Sequence, residues 1–485
     1  MEEVKMDTYT TVSFFESGVW RSIMLTGILL LSLLVANMLK RKIPFLKKSL
    51  IPNSVLGGII LLIISSICYF VSGKYLFNLN LFSSNGSGIR TLEILTYHCL
   101  AIGFIAMTLR PMKKASGGKR AVEILNSGIS TICTYMLQGI AGIIITILAG
   151  FAISGFAPGS GILLAFGYGQ GTGQALNIGK NFDHTLGTSS YSSFGLAIAA
   201  LGFLTASIVG VIYLNFLRRK GRLEIRNASK AEALTVFDVQ NPDEPEMNES
   251  IDKLSMQCAF VAIAYMMAYG MMYLLGNVIL GKGSNLTGTI YGFNFIFGVL
   301  AAVIIKAILN LLRKKQVVKH QYTNTFLLNR ISGFAFDVMI VSGICAIQVH
   351  LLVEYWWVIL LLGVAGAILT FLYLKYVTKK LFPAYQHEQF LAFFGMLTGT
   401  ASTGMILLRE ADPDLKSPVS ENLVYQNFPA IVLGFPLLLI AGRITTKAAS
   451  VTTALVMLAI IFAIFVILNI ILFRVFIFKR KKNGG

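Results

Sequence analysis

Two glycine-rich stretches decide the fold: FGYGQGT at residues 166–172 and FGMLTGT at residues 394–400. Both fit the pattern Phe-Gly-x-x-x-Gly-Thr, and they lie in opposite halves of the chain. Farther along each half, the tripeptide Leu-Gly-Phe occurs at 201–203 and again at 433–435. Short matches between glycine-rich stretches carry little weight alone, but their common order along the two halves predicts an internal duplication.

The segments around these stretches are apolar enough to cross a membrane. Of the 485 residues, 55% are hydrophobic and only 13% are charged, and the mean hydropathy is +0.72. A water-soluble protein could not bury so much apolar surface. Since about 20 apolar residues cross a bilayer as a helix, the sequence predicts eleven transmembrane spans, near residues 22–39, 51–71, 92–109, 122–152, 192–217, 254–280, 290–312, 331–352, 356–376, 423–442 and 450–473.

Two further apolar segments, 159–180 and 388–408, contain the repeated stretches and are rich in glycine and threonine. They make poor continuous helices, because each interior glycine costs roughly 1 kcal/mol relative to alanine. Non-helical backbone at membrane depth is tolerated only where protein or a water-filled cavity covers it. We therefore predict that neither segment is a simple span.

The basic residues predict which ends of the spans face the cytoplasm. The formal net charge is +19, and lysine and arginine concentrate at the ends of apolar segments, at 40–48, 110–120, 218–226, 313–319, 375–380 and 479–482. Such clusters stay on the cytoplasmic side, which predicts an external N-terminus and a cytoplasmic C-terminus. A nucleic-acid-binding surface would interleave basic and aromatic residues on a polar domain, so nucleic acid is not a predicted partner.

This charge assignment puts the glycine-rich segments on opposite faces of the membrane. The first enters and leaves on the outer face, and the second on the cytoplasmic face. The predicted fold is an all-α polytopic membrane protein with two inverted-topology repeats of five transmembrane helices plus one re-entrant segment each, and an extra C-terminal helix. The predicted units are an external segment 1–21, a first repeat 22–217, a cytoplasmic linker 218–253, a second repeat 254–442, and a last helix with a basic cytoplasmic tail 443–485.

The two glycine-rich segments are where ligands are expected to bind. Backbone carbonyls and hydroxyls suit sodium, whereas free amides at a half-helix N-terminus suit a carboxylate. Thr172, Thr400 and the intramembrane Asp337 are the predicted sodium ligands. The predicted substrate-binding residues are Gly169, Gln170, Gly171, Thr172, Gly173, Gln174, Gly395, Thr398, Gly399, Thr400, Ser402 and Thr403. The alternative is that these glycines only allow close helix packing.

A few charged residues lie inside or beside the apolar segments, where each is a functional candidate. Asp337 is interpreted as a cation ligand or proton carrier, with pairing to Arg330 as the structural alternative. Glu93 and His98 are expected at an exposed interface. Lys180 follows the first glycine-rich segment, where it either meets solvent or contacts a substrate carboxylate.

Short stretches of the chain resemble the bacterial sodium/glutamate symporter family. The similarity is closest at KKxxIP, residues 47–52, which leads to the glycine pair 57–58, and at GQGTG, residues 169–173. Gln170 stands where the family usually has histidine. In the second stretch three residues match, Gly395, Gly399 and Thr403, and Ala401 replaces the usual threonine.

The resemblance to this family, as a distant member, implies a protein of the bacterial inner membrane. It also implies sodium-coupled uptake of glutamate by a homodimer, with a transport domain moving against a scaffold. The implied partners are the lipid bilayer, sodium, a small anionic or amino-acid substrate, and a second copy of the chain.

The predicted function is therefore secondary active transport: sodium-coupled symport of glutamate or a related small organic anion or amino acid by alternating access. A channel, or a proton-coupled carrier of a different small solute, is the alternative. An enzyme is not predicted, because the five histidines are scattered and neither HExxH nor Gly-x-Ser-x-Gly occurs. No cofactor is predicted apart from sodium as the coupling ion, and the five cysteines lack the CxxC spacing of a zinc site.

Overall fold

Helices make up the regular secondary structure of the described part of the chain. The computed structural model describes residues 17–111, 118–223, 252–281, 287–317, 320–412 and 416–482, and within these ranges it contains no strand. Most of the predicted segments 1–21 and 218–253 lies outside the described residues. The α-helices are α1 (Ser17–Lys42), α2 (Pro44–Lys48), α3 (Asn53–Ser72), α4 (Gly88–Leu109), α5 (Gly118–Ala152), α6 (Leu163–Gln170), α7 (Thr172–Leu186), α8 (Ser190–Arg219), α9 (Lys253–Tyr273), α10 (Thr287–Gly292), α11 (Asn294–Lys314), α12 (Thr325–Cys345), α13 (Trp356–Leu381), α14 (Gln386–Thr398), α15 (Ala401–Ala411), α16 (Val419–Tyr425), α17 (Asn427–Thr446) and α18 (Val451–Lys482).

Eleven of the described helices are long and apolar enough to cross a membrane: α1, α3, α4, α5, α8, α9, α11, α12, α13, α17 and α18. Large apolar side chains on these helices remain exposed, and Val71, Phe151 and Val432, for example, are 83%, 82% and 73% exposed. Extensive exposed apolar surface is typical of proteins that face lipid. The chain is a multi-pass membrane protein, and the all-α prediction is confirmed.

Each glycine-rich segment is broken into two helices. In the first, α6 ends at Gln170 and α7 begins at Thr172, with Gly171 between them. In the second, α14 ends at Thr398 and α15 begins at Ala401. A helix break leaves unpaired carbonyls at one end and unpaired amides at the other. Both breaks therefore place polar backbone groups inside an apolar helix bundle.

The helices pack as two groups. The first group is α1, α3, α4, α9, α11 and α12. Within it, α4 contacts α11 and α12, and α3 contacts α1 and α12. Helix α9 packs against α11. The second group is α5–α8 and α13–α18, in which α5 contacts α6, α13, α17 and α18. Helix α7 lies at the boundary, against α4 and α12. Each group thus contains helices from both halves of the chain.

Within the second group, backbones approach closely at glycines. A Cβ atom on Gly142 of α5 would overlap the carbonyl oxygen of Gly161, which precedes α6, and a Cβ atom on Gly161 would overlap the carbonyl oxygen of Gly142. A Cβ atom on Gly179 of α7 would lie 2.6 Å from the carbonyl oxygen of Tyr191 in α8. These contacts fix the first broken helix pair against both neighbouring long helices.

Candidate functional site

The two helix breaks lie side by side. A Cβ atom on Gly171 would lie 3.5 Å from Cγ2 of Thr400 and 3.8 Å from the carbonyl oxygen of Gly399. Gly171 has a φ of 81°, which residues with a Cβ rarely adopt. Gly399 has a φ of −140° and a ψ of −107°, so the left-handed backbone is confined to the first break. The repeated stretches of the two halves meet at one place in the bundle.

A cavity of about 120 Å³ opens beside the breaks. Helices α4, α11 and α12 of the first group form one part of its wall, and α5, α6, α7, α14, α15 and α17 of the second group form the rest. The wall is mainly apolar, and its polar side chains are Tyr135, Gln170, Gln174, Thr400 and Asn427. No charged residue or histidine is among the described residues that line it.

Gln174 is buried in this wall, with 1% of its surface exposed. Neither its Nε2 nor its Oε1 has a hydrogen-bond partner among the described residues. Leaving a buried donor or acceptor unpaired costs about 1–3 kcal/mol, and few buried amides in native proteins are left in this way. A bound ligand would satisfy both atoms, by supplying an acceptor for Nε2 and a donor for Oε1.

Some of the predicted substrate-binding residues do line the cavity. They are Gly169, Gln170, Gln174, Gly399 and Thr400. Thr400 is also the N-cap of α15, where its hydroxyl oxygen accepts a hydrogen bond from the backbone amide of Thr403 at 3.5 Å. The cap holds the start of α15 at the cavity.

The other predicted residues do not line the cavity. The Thr172 hydroxyl donates to the carbonyl oxygen of Met339 at 3.4 Å, and the Thr398 hydroxyl donates to the carbonyl oxygen of Phe394, in its own helix, at 2.6 Å. Ser402 is exposed. Four more lie behind the lining, in contacts between helices: Gly171, Gly173, Gly395 and Thr403.

Asp337, on α12, lies outside the lining of the cavity. Its carboxyl group lies next to the hydroxyl of Ser54 on α3. Arg330, the alternative partner, lies over the ring of Phe326, with the guanidinium carbon 4.9 Å from the ring centroid. A sodium-binding role for Asp337 stays a prediction that the geometry of the cavity does not require.

A comparison with known protein families gives a match. A sequence model of the sodium/glutamate symporter family matches residues 20–389. The chain belongs to this family. The match includes the first helix break and ends within α14, before the second break. A search of curated proteins finds no match to the chain. The sodium/glutamate symporter family is one of transporters, not of enzymes.

Some cavity residues of this family member carry little signal in the sequence. Phe104 and Phe336 line the cavity, but they resemble any other apolar residue of a span. Gln138 of α5 lies close to the cavity, and its Nε2 donates to the carbonyl oxygen of Leu397 and to the hydroxyl of Thr370, both at 2.9 Å. A glutamine inside an apolar span is a signal that could have identified it, because buried polar groups in membranes are costly.

An ion pair joins the two groups of helices in this member of the symporter family. Nζ of Lys180, on α7, lies 2.7 Å from Oε1 of Glu93, on α4. Glu93 is 5% exposed, so its expected position at an exposed interface is wrong, because a nearby cation makes burial tolerable. His98, farther along α4, is exposed as expected and contacts the hydroxyl of Tyr265.

We expect Lys180→Met to lower the free energy of unfolding by about 1–3 kcal/mol. Among the described residues, the change leaves the buried Glu93 carboxylate with one ion-pair contact, to Arg90 at 3.5 Å. The Lys180 side chain is 32% exposed, so the loss is smaller than for a fully buried pair. The melting temperature of the purified protein measures it.

The double variant Lys180→Met/Glu93→Gln leaves no buried unpaired charge at this place, because the Arg90 side chain is 65% exposed, so it should recover most of the lost stability. Equal melting temperatures for Lys180→Met and the parent protein would contradict a stabilising role for the pair.

Proposed function

We propose that this protein is a secondary active transporter that uses a sodium gradient to move glutamate or a related small organic anion or amino acid by alternating access. The observation that carries the proposal is the meeting of two broken helix pairs at a cavity between two groups of helices. In the cavity wall, the Gln174 amide has no hydrogen-bond partner among the described residues. Membership of the sodium/glutamate symporter family supports sodium coupling. The proposed unit is a homodimer in the bacterial cell membrane.

The proposed fold is a pair of inverted repeats followed by the extra helix α18. In support, the first group takes the first three spans of each half, α1, α3 and α4 and then α9, α11 and α12. The second group takes the later elements of each half, which are a span, a broken helix pair and another span. Such an equal division is expected when two halves share one fold. The broken pairs would then be the re-entrant segments.

The proposed ligand contacts depend on the groups at the breaks. Ala401 and the Thr400 cap place the N-terminal turn of α15 at the cavity, and first-turn amides attract a carboxylate. Sodium, as the co-transported ion, would bind neutral oxygens such as the Thr400 hydroxyl and the carbonyls that end α6 and α14. The Thr172 hydroxyl would become a sodium ligand only if it gave up its hydrogen bond to the carbonyl oxygen of Met339.

A vestibule of about 960 Å³ lies near the C-terminal end of α11. Its wall includes Lys306, Arg313 and Lys314, together with Phe428 and Pro429 of α17, and the next residues of α17 line the cavity. Because basic residues mark the cytoplasmic side, this vestibule is the proposed cytoplasmic route. Its basic wall would raise the local concentration of an anionic solute.

We expect cysteines at Thr185 and Lys315 to be labelled from opposite sides of the membrane. Both positions are exposed; Thr185 lies in the last turn of α7, and Lys315 follows α11. In a background without the five native cysteines, a membrane-impermeant thiol reagent on intact cells should label Thr185→Cys alone. Permeabilised cells should show both. Labelling of Lys315→Cys in intact cells would overturn the proposed orientation.

Uptake into proteoliposomes tests the proposed coupling. An inward sodium gradient should drive accumulation of a labelled amino acid or organic anion above its external concentration. A channel would only equilibrate the solute across the membrane. Equal accumulation in sodium-free buffer with a proton gradient would reject sodium coupling, and Asp337 would become the leading proton carrier.

We expect Thr400→Val to raise the sodium concentration for half-maximal uptake about 10-fold, since one lost oxygen contact costs about 1–1.5 kcal/mol. Thr378→Val is the matched control: the Thr378 hydroxyl donates to the carbonyl oxygen of Leu374, in its own helix, at 2.8 Å, and it does not line the cavity. An unchanged sodium dependence in Thr400→Val would remove Thr400 from the proposed ligands.

A further inference from the structure

We infer that the cavity takes a solute with one carboxylate and an apolar remainder, such as an apolar α-amino acid, in preference to a dicarboxylate such as glutamate. This inference rests on the proposed transport function and concerns the choice of solute. Membership of the family comes from a match along most of the chain. The choice of solute depends on the few side chains that line the cavity.

The described part of the lining offers no positive charge for a second carboxylate. Its described residues include no lysine, arginine or histidine. Placing a carboxylate against an apolar wall without a cation costs several kcal/mol. Lys306 lines the separate vestibule, and its Nζ donates to the carbonyl oxygens of Thr108 and Arg110 at 3.1 and 2.9 Å. A γ-carboxylate in the cavity would have only neutral partners.

One of the two broken pairs presents its N-terminal turn to the cavity. Thr400 and Ala401, at the start of α15, line it, and first-turn amides lack acceptors within their own helix. At the start of α7, the Thr172 hydroxyl bonds to Met339 and a Cβ atom on Gly173 would lie 2.8 Å from Cδ1 of Leu100, so Gln174 is the residue of this first turn that lines the cavity. Of the two broken pairs, the second is therefore the one whose capping residue and first helical residue line the cavity, where helix amides can meet a carboxylate.

Gln174 and the apolar wall account for the rest of the solute. Both polar atoms of the Gln174 side chain lack a partner in the part of the chain that the structure describes. Its Oε1 can accept a hydrogen bond from an ammonium group, and its Nε2 can donate to a carboxylate. Aromatic and thioether side chains, among them Phe104, Phe336, Met107 and Met396, form much of the remaining wall. Such side chains bind apolar groups, and methionine adapts to their shape. One carboxylate, one ammonium and an apolar side chain describe an apolar α-amino acid.

The test measures the melting temperature of the purified full-length protein in sodium buffer against a panel of solutes. The panel is leucine, methionine, phenylalanine, glutamate, aspartate and 4-methylpentanoate, which has the carbon skeleton of leucine without its ammonium. An apolar amino acid should reach half-maximal stabilisation at a concentration about 10-fold lower than glutamate or aspartate, a difference of about 1.4 kcal/mol. If 4-methylpentanoate stabilises the protein less than leucine does, then the ammonium group of leucine contacts the protein. Tighter binding of glutamate than of every apolar solute would overturn the inference.

A variant reverses the expected preference. Met107 lines the cavity and is only partly buried, so Met107→Arg adds a cation to the wall where some room exists for it. In this variant, the affinity for glutamate relative to leucine should be about 10-fold higher than in the parent protein. An unchanged preference in a variant with the parent's ligand-free melting temperature would count against the inference. If the variant fails to fold, the solute panel on the parent protein decides alone.

Uptake of the same panel into proteoliposomes separates this inference from the proposed function. Sodium-driven accumulation with glutamate preferred contradicts the inference and leaves the proposed function standing. Stabilisation by apolar amino acids without sodium-driven uptake contradicts the coupling and supports the inference. No stabilisation and no uptake with any member of the panel would overturn both.

Discussion

Replacing Gly171 by valine is expected to reduce sodium-driven uptake at least about 100-fold, equivalent to about 2.7 kcal/mol. The φ of 81° at this position costs a residue with a Cβ roughly 1–2 kcal/mol. A Cβ atom would also lie 3.5 Å from Cγ2 of Thr400, so the two γ-methyl groups would enter the space between the helix breaks. Uptake and ligand-induced thermal stabilisation of the variant measure the effect. Valine at Gly399 should reduce uptake through steric overlap alone, because a Cβ atom there would lie 2.9 Å from the carbonyl oxygen of Gly395.

Gly187→Val is the matched control for Gly171→Val. Gly187 also has a positive φ, 66°, but it is exposed and a Cβ atom there would meet nothing within 4 Å. Both variants should melt at a lower temperature than the parent, and only Gly171→Val should lose stabilisation by ligand. Normal ligand stabilisation of Gly171→Val would contradict the expected obstruction of the space between the helix breaks. Misfolding of Gly171→Val, with a stable Gly187→Val, would indicate that Gly171 serves helix packing.

Gln174→Leu is expected to weaken substrate binding about 10- to 100-fold, because hydrogen bonds to charged groups contribute about 1.5–3 kcal/mol. The ligand-free protein should melt at the same temperature or higher, since the change removes a buried amide with no partner among the described residues. Loss of binding without loss of stability is the pattern expected of a group retained for its ligand. Thermal melts with and without substrate measure both quantities on one sample.

Gln257→Leu is the matched control, since Gln257 is also 1% exposed. Its Nε2 donates to the carbonyl oxygen of Tyr322 at 2.8 Å, and its Oε1 accepts from the backbone amide of Asn324 at 3.1 Å. Removing it breaks both of these hydrogen bonds, so this variant should lose stability and keep its substrate affinity. If Gln174→Leu behaves in the same way, then Gln174 is a structural residue.

Much of the fold could be predicted because the signals for a membrane helix are local. An apolar run and its flanking charges are read from one stretch of chain, and the predicted span 192–217 corresponds to α8, Ser190–Arg219. The helix break at Gly171 could be predicted from local composition as well. Gln170 and Gln174 could be selected for the site because a polar side chain is costly in an apolar segment unless it binds a partner there.

The rest of the site depends on contacts between distant segments, which local patterns do not contain. Thr172 and Ser402 both follow a helix break, but the path of the chain through each break determines which side chains of the next turn face the cavity. The aromatic wall comes from ordinary apolar spans, so Phe336 carries no distinguishing signal. The pairing of Glu93 with Lys180 requires α4 and α7 to be neighbours, and that arrangement is a property of the folded chain.

The contact between the backbones at Gly142 and Gly161 limits how the molecule can change shape. Two backbones in direct contact have no side chains between them to repack, so α5 and the first broken pair must translate and rotate as one rigid body. Helix α7 meets the first group differently, through an ion pair and the hydroxyl of Thr172, and such bonds can exchange partners. Shear would therefore be confined to the surface between the two groups, and a bound solute would travel with the breaks that hold it.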